Sequence, residues 1–220
     1  MEQSILPTTP GSCRLVLVRH GQARSADGSY GPRTPLSPLG RRQAAASAEA
    51  LAQGDAVAAV YASPWPRAME TAAIIGDRLG RSPVIEDRLA EFEMGTAPLA
   101  SAENRPDLLL WQPDHTGAPG GETLRQFNVR VAACAEAIVR RHLHERVVVV
   151  SHAGTMEAVL RWAVGLSAEA LWQHEFVLPN ASLTELECWP DGRVPGGAPR
   201  YVSIAATGVT AHLAGLVTDL

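Results

Sequence analysis

Two histidines and two arginines stand where a nucleophile and an anion clamp could be assembled. Arg19-His20-Gly21 follows the apolar run Leu15-Val16-Leu17-Val18, and Ser151-His152-Ala153-Gly154-Thr155 follows Val147-Val148-Val149-Val150. A neutral imidazole is a nucleophile and a guanidinium holds anions, so Arg19 and His20 suit attack on an anionic centre. Arg67 is the third such placement. Ala56-Val57-Ala58-Ala59-Val60-Tyr61 reads as a short strand, and Pro64-Trp65-Pro66-Arg67 opens a helix with proline where a missing N–H costs least. A cation in a helix's first turn opposes the macrodipole, whereas an anion there is favoured by both the helix and the arginine. In isolation Arg67 also reads as a solvated surface residue, and a single histidine as a structural hydrogen-bonder. Two histidines joined to strand ends, with an arginine at a third, read as a site.

The elements that must position these residues are legible as alternation. Apolar runs predict strands at 14–19, 56–61, 83–86, 146–150, 182–188 and 200–205; periodic segments predict helices at 38–52, 66–79, 121–143, 153–164 and 167–173. This is an α/β pattern, suited to a three-layer sandwich with a mostly parallel central sheet whose carboxyl ends carry the site. The 220 residues, 46% hydrophobic, read as one domain over 1–220, with the Pro- and Gly-rich stretch 95–120 as an insertion over the active site.

Composition narrows the partners. A formal charge of -4 and a pI near 6.0 leave no basic stripe, so nucleic acid is not expected. No basic start, signal-like apolar run or membrane-length segment is seen, and Cys13, Cys134 and Cys188 form no disulfide or metal pattern; the expectation is a cytoplasmic, metal-free protein with no membrane contact. His142 and His144 near a helix end favour the macrodipole rather than a metal. The tail 207–220 carries no motif, and both packing on the body and a homodimer contact are open to it.

Beyond these readings, the chain resembles the histidine phosphatase superfamily, the phosphoglycerate mutase-like enzymes. The resemblance runs through Leu17-Val18-Arg19-His20-Gly21, Thr34 to Ala44, Ser63 to Thr71, Glu91 to Gly95, Pro119-Gly120-Gly121-Glu122-Thr123 and Val150 to Gly154, in the family's order over about 14–185. It implies the family's fold, with His20 as the phosphorylated nucleophile, Arg19, Arg67 and His152 on the phosphoryl oxygens, Glu91 as proton donor, and no cofactor. Where many members carry Thr and Asn after the Arg-His-Gly, this chain has Ala23 and Ala26. Gln22, with Arg24 and Ser25 as further polar neighbours, and the main chain at Ala153 are the expected additional phosphate contacts. Glu93 is the alternative acid, since an extended Glu91-Phe92-Glu93 turns both carboxylates to one side.

The expected activity is hydrolysis of a small phosphate monoester, without metal, through phosphohistidine. The alternatives are a cofactor-dependent phosphoglycerate-type mutase and a catalytically silent phospho-ligand or protein-binding module. Pure binding needs the cations but neither nucleophile nor acid. A mutase rim calls for extra cations, whereas here the family's basic Arg-His-Tyr after the glutamate is replaced by Phe92-Glu93-Met94. Phe92, Met94 and Trp111 are expected to receive a partly apolar leaving group, and Glu122 reads as a helix first-turn acid.

Overall fold

A computed structural model describes residues 11–24, 31–92, 114, 120–167, 175–190 and 200–218. Six strands, β1 (Cys13–Arg19), β2 (Val57–Ala62), β3 (Val84–Ile85), β4 (Arg146–Ser151), β5 (Leu183–Trp189) and β6 (Tyr201–Val209), form one sheet in the order β3-β2-β4-β1-β5-β6. The strands β3, β2, β4 and β1 pair in parallel, and the hairpin-like β5 and β6 are added antiparallel on the β1 side.

The pleat sorts alternate residues to opposite faces. Leu15, Leu17, Val147 and Val149 pack in one core with α3 (Leu124–Arg141) and α4 (Ala153–Ala163); Val16, Val18, Val148 and Val150 pack in the other with α1 (Pro38–Ala52) and α2 (Pro66–Leu79). Strands buried on both faces need apolar residues at every position, which is why β1 and β4 read as unbroken apolar runs. This is the three-layer α/β sandwich the alternation implies.

Most boundaries fall within a residue or two of the pattern, and the departures have local causes. The third long helix begins at Leu124 rather than 121, because Gly120 takes φ +82° and Thr123 caps the helix through a reciprocal bond with Gln126. Glu122 therefore precedes the cap and is not a first-turn acid. β6 runs on to Val209, and the chain then turns at Ala211–Leu213 and packs on α1: the Gln43 side chain donates to the Leu216 carbonyl at 2.7 Å. Through residue 218 the tail is thus docked on the body. Cys13 and Cys188, far apart in sequence, are direct cross-strand partners, both free thiols. Burial raises the Cys13 thiol to about 12 and pushes Cys188 up as well. His142 is bonded by Tyr61 and Glu145, and His144 accepts from the Gly11 N–H. Among the described residues, no group of three or more His, Cys, Asp or Glu side chains could hold a metal ion, and no helix is long and apolar enough to cross a membrane. The predicted helix 167–173 falls almost entirely, and the insertion 95–120 for the most part, outside the described residues.

One close approach joins the first helix to the loop after β1. A Cβ on Gly40 would lie 2.0 Å from the Gln22 carbonyl oxygen, and one on Gly21 would lie 2.3 Å from the Gly40 oxygen. Backbone meets backbone here, so neither side can yield by a rotamer change. Gly40→Ala should destabilise the fold by about 1–3 kcal/mol, read as a lower denaturant midpoint at unchanged m-value; an unshifted midpoint would contradict this packing.

Candidate active site

The β1–β4–β2 register carries three polar residues to one level. Arg19 pairs with Ser151 and Ala62 with Val150, so His20, His152 and Ser63 each stand one residue beyond their strands. Main-chain bonds extend the sheet that far: His20 N donates to Ser151 O at 2.8 Å, and Ser63 N to Val150 O at 3.0 Å. The two imidazoles meet edge to face, centroids 5.1 Å apart, and both are about 1–2% exposed.

Arg67 fixes the tautomer of His20. Its Nε–H lies 3.0 Å from His20 Nε2 and can only donate, so Nε2 presents a lone pair and the proton sits on Nδ1, which donates to the Gly21 carbonyl at 2.7 Å. Burial, with smaller contributions from the Arg67 and Arg19 charges, lowers the His20 pKa to about 3 against the opposing Gly21 bond. His20 is therefore neutral throughout the ordinary pH range. Asn180 Nδ2 donates to the His20 carbonyl at 3.0 Å and Thr71 Oγ accepts the Gly21 N–H at 3.1 Å, so the loop is held on both sides of the ring.

The cations are equally well held. Arg67, 2% exposed at the second position of α2, lies over the Trp65 indole at 4.5 Å and donates to the Gly31 carbonyl at 3.0 Å. The reading of Arg67 as a solvated surface residue is excluded. Arg19, half-buried, donates to the Leu178 carbonyl at 2.6 Å. His152 begins α4, and its Nε2 is 2.7 Å from Ser63 Oγ while its Nδ1 is buried without a hydrogen-bond partner among the described residues. Burial first, then the charges of His20, Arg67 and Arg19, lower its pKa well below the ordinary value.

Glu91 reaches this cluster from the segment after β3. Ser151 Oγ donates to the Leu89 carbonyl at 2.7 Å and Thr155 Oγ to the Ala90 carbonyl at 3.1 Å, which anchors the approach. The carboxylate accepts from the N–H groups of Phe92 at 2.9 Å and Gly154 at 3.0 Å. A Cβ on Gly154 would come within 2.6 Å of Glu91 Oε1, so a side chain there would displace the acid. Burial raises the Glu91 pKa, while these two bonds and the arginines oppose the rise. An acid that keeps its proton more readily, a neutral imidazole with an exposed lone pair, and two guanidinium groups are what transfer of a phosphoryl group needs.

The model of the histidine phosphatase superfamily (branch 1) matches residues 15–195. The chain belongs to this superfamily. It is 32% identical over 179 residues to phosphoserine phosphatase 1 of Hydrogenobacter thermophilus, covering 77% of this chain and 83% of that protein. It is 33% identical over 189 residues to the glucosyl-3-phosphoglycerate phosphatase of Mycolicibacterium vanbaalenii, covering 79% and 83%. A mycobacterial glucosyl-3-phosphoglycerate phosphatase structure, solved with VO3, is 28% identical and superposes with a TM-score of 0.70 over 90% of this chain and 99% of that one.

In this histidine phosphatase the fold brings His20, Arg19, Arg67, His152 and Glu91 together at one rim of the sheet. Ala153 is the first residue of α4, directly after His152. Gln22 is tied to the start of α1: its side-chain oxygen accepts from Ser37 Oγ at 2.7 Å, and its main-chain N–H donates to Gln43 Oε1 at 2.7 Å. Arg24 is exposed, Ser182 is fully buried beneath the site, and Ser25, Glu93, Met94 and Trp111 lie outside the described residues. Phe92, half-buried, packs edge-on against Phe127 at the margin of the core, ring centroids 5.4 Å apart. Sequence reasoning passed over Ser63, although it follows β2 as the histidines follow β1 and β4, and that placement was the available signal. It also passed over Trp65, whose role depends on a tertiary contact, whereas Asn180 lies in the stretch Asn180-Ala181-Ser182 that resembles a family segment near the phosphate pocket.

The depressed His20 pKa has a thermodynamic counterpart. Unfolded, the imidazole takes a proton near its ordinary value of 6.5; folded, it does so only near 3. The unfolded state therefore binds more protons between these values, and stability falls as pH drops through them, by up to about 1.4 kcal/mol per pH unit from this group. Denaturant midpoints measured across that window should fall less steeply in His20→Gln than in the parent protein, and parallel curves would contradict the assignment.

Proposed function

We propose that this histidine phosphatase hydrolyses small phosphate monoesters of alcohols through a phosphohistidine on His20, without a metal ion. The observation that carries the reading is the His20 Nε2 lone pair, faced by the Arg67 Nε–H at 3.0 Å while Gly21 holds the proton at Nδ1. Arg67, which faces that lone pair, and Arg19 are cations a phosphoryl group can bind. On substrate binding Arg67 and Arg19 turn to the phosphoryl oxygens, with the main chain at Ala153 and the side-chain amide nitrogen of Gln22 as further donors. Ser63 O–H donates to His152 Nε2, which leaves an Nδ1–H on His152 for another oxygen.

Nε2 attacks phosphorus as the bond to the ester oxygen breaks, and Glu91 transfers its proton to that oxygen, so the alcohol leaves neutral. The Nδ1–H···O=C bond to Gly21 stabilises the positive charge that the ring acquires. Water then attacks the phosphohistidine, Glu91 takes a proton from it, and inorganic phosphate departs with His20 neutral again. An alkyl alcohol as leaving group accords with the relatives named for phosphoserine and glucosyl-3-phosphoglycerate, both alcohol esters. The names of these relatives also favour release of phosphate over return to a second hydroxyl.

Rapid quenching during turnover should trap an acid-labile, base-stable phosphoryl group on His20. Turnover should survive exhaustive chelation, need no bisphosphoglycerate primer, and be inhibited by vanadate, which resembles the five-coordinate transition state. His20→Ala should lose at least about a thousandfold in kcat. Label persisting in His20→Ala would overturn the nucleophile.

Glu91→Gln should lower kcat/KM for alkyl phosphates by about a hundredfold or more, and far less for aryl phosphates, whose leaving groups need little protonation. Equal losses on both ester types would show that the acid is another group.

A further inference from the structure

The backbone that delivers Glu91 is held by a side chain some forty positions away. Arg130, midway along α3, donates through Nη1 to the main-chain oxygens of Arg88 at 2.9 Å and Ala90 at 3.0 Å, and through Nη2 to that of Glu91 at 3.5 Å. The remaining edge of its guanidinium is taken by the Glu122 carboxylate, with Nε 3.0 Å from Oε2 and Nη2 bonded to Oε1. The Phe127 ring supports the group from one side at 5.0 Å. Among the described residues that follow the short turn Asp87–Leu89, Ala90 to Phe92 belong to no strand or helix. A planar fork with five donors can bind several carbonyls and a carboxylate at once, which an ammonium group cannot.

We propose that Arg130 is a positioning residue for the proton donor: it fixes the main chain from Arg88 to Glu91 so that the Glu91 carboxyl meets the substrate's leaving oxygen, and Glu122 orients the Arg130 fork. The proposal rests on the reading of Glu91 as the acid. It also assigns Glu122 a purpose that a helix-end acid would not have. A general acid works only within hydrogen-bond reach of the atom it protonates, and a displacement of about 1 Å costs on the order of a hundredfold. The other members of the site are anchored elsewhere, His20 by β1, Arg67 by α2 and His152 by β4. Loss of Arg130 therefore disables protonation and leaves phosphoryl binding and the nucleophile in place.

The test compares kcat/KM on glycerol phosphate, whose leaving group needs a proton, and on nitrophenyl phosphate, whose leaving group does not. Arg130→Met should lose about a hundredfold on the first and less than about threefold on the second, with Arg130→Lys intermediate on the first. In a Glu91→Gln background Arg130→Met should add nothing on glycerol phosphate, since the group it positions is already disabled. Equal losses on the two esters, no loss at all, or additive losses with Glu91→Gln would each overturn the proposal. If Glu91→Gln is selective for the alkyl ester and Arg130→Met is not, the acid stands and only the positioning role falls. If Glu91→Gln is itself unselective, both fall. Should Arg130→Met fail to fold, Arg130→Lys carries the same comparison.

Discussion

A buried imidazole kept neutral beside the Arg67 guanidinium is the constraint on which the rest of this molecule depends. A histidine that carried a proton at Nε2 could not attack phosphorus, and an imidazolium would repel the arginines needed for the substrate. The fold meets both demands with one geometry. Burial disfavours the charged ring, the Gly21 carbonyl takes the Nδ1 proton, and the Arg67 Nε–H can only face a lone pair. Moving any of these would require moving β1, α2 or the loop that rests on α1, which accounts for the close backbone contacts at Gly21 and Gly40.

The same arrangement sets charges against the fold. Arg67 is buried, and desolvating a guanidinium is unfavourable unless its donors and its face are occupied. Here the Trp65 ring covers the face and the Gly31 carbonyl and His20 take donors. Glu91 sits under the opposite tension, its carboxyl favoured as the acid by burial and as the anion by two N–H groups. Groups balanced in this way can change protonation during a catalytic cycle without rearrangement of the backbone.

Much of this was legible in the chain, for identifiable reasons. β1 and β4 are buried on both faces, so their sequences are unbroken apolar runs, and whatever follows them stands at the sheet's rim. His20, His152 and the helix carrying Arg67 follow directly from that. What the chain did not display were contacts made by side chains remote in sequence. The pairing of Glu122 with Arg130, the docking of the tail through Gln43, and the cross-strand placement of Cys13 and Cys188 depend on which elements become neighbours, and strand order is not written in local periodicity. The contact between Phe92 and Phe127 was hidden for the same reason, since Phe127 lies on a helix far along the chain.

The placement of β4 between β2 and β1 has a consequence for how the enzyme is born. During synthesis β1 emerges early, but the strand it pairs with, and which carries the second histidine, begins only at Arg146. Until then β1 has no parallel neighbour, and the rim on which His20 and His152 meet does not exist. Pairing over such a separation is slow and cooperative, since the entropy of closing the intervening loop must be overcome before any contact rewards it. The two strand ends that carry His20 and His152 are thereby kept apart in every ribosome-bound intermediate from which β4 has not yet emerged.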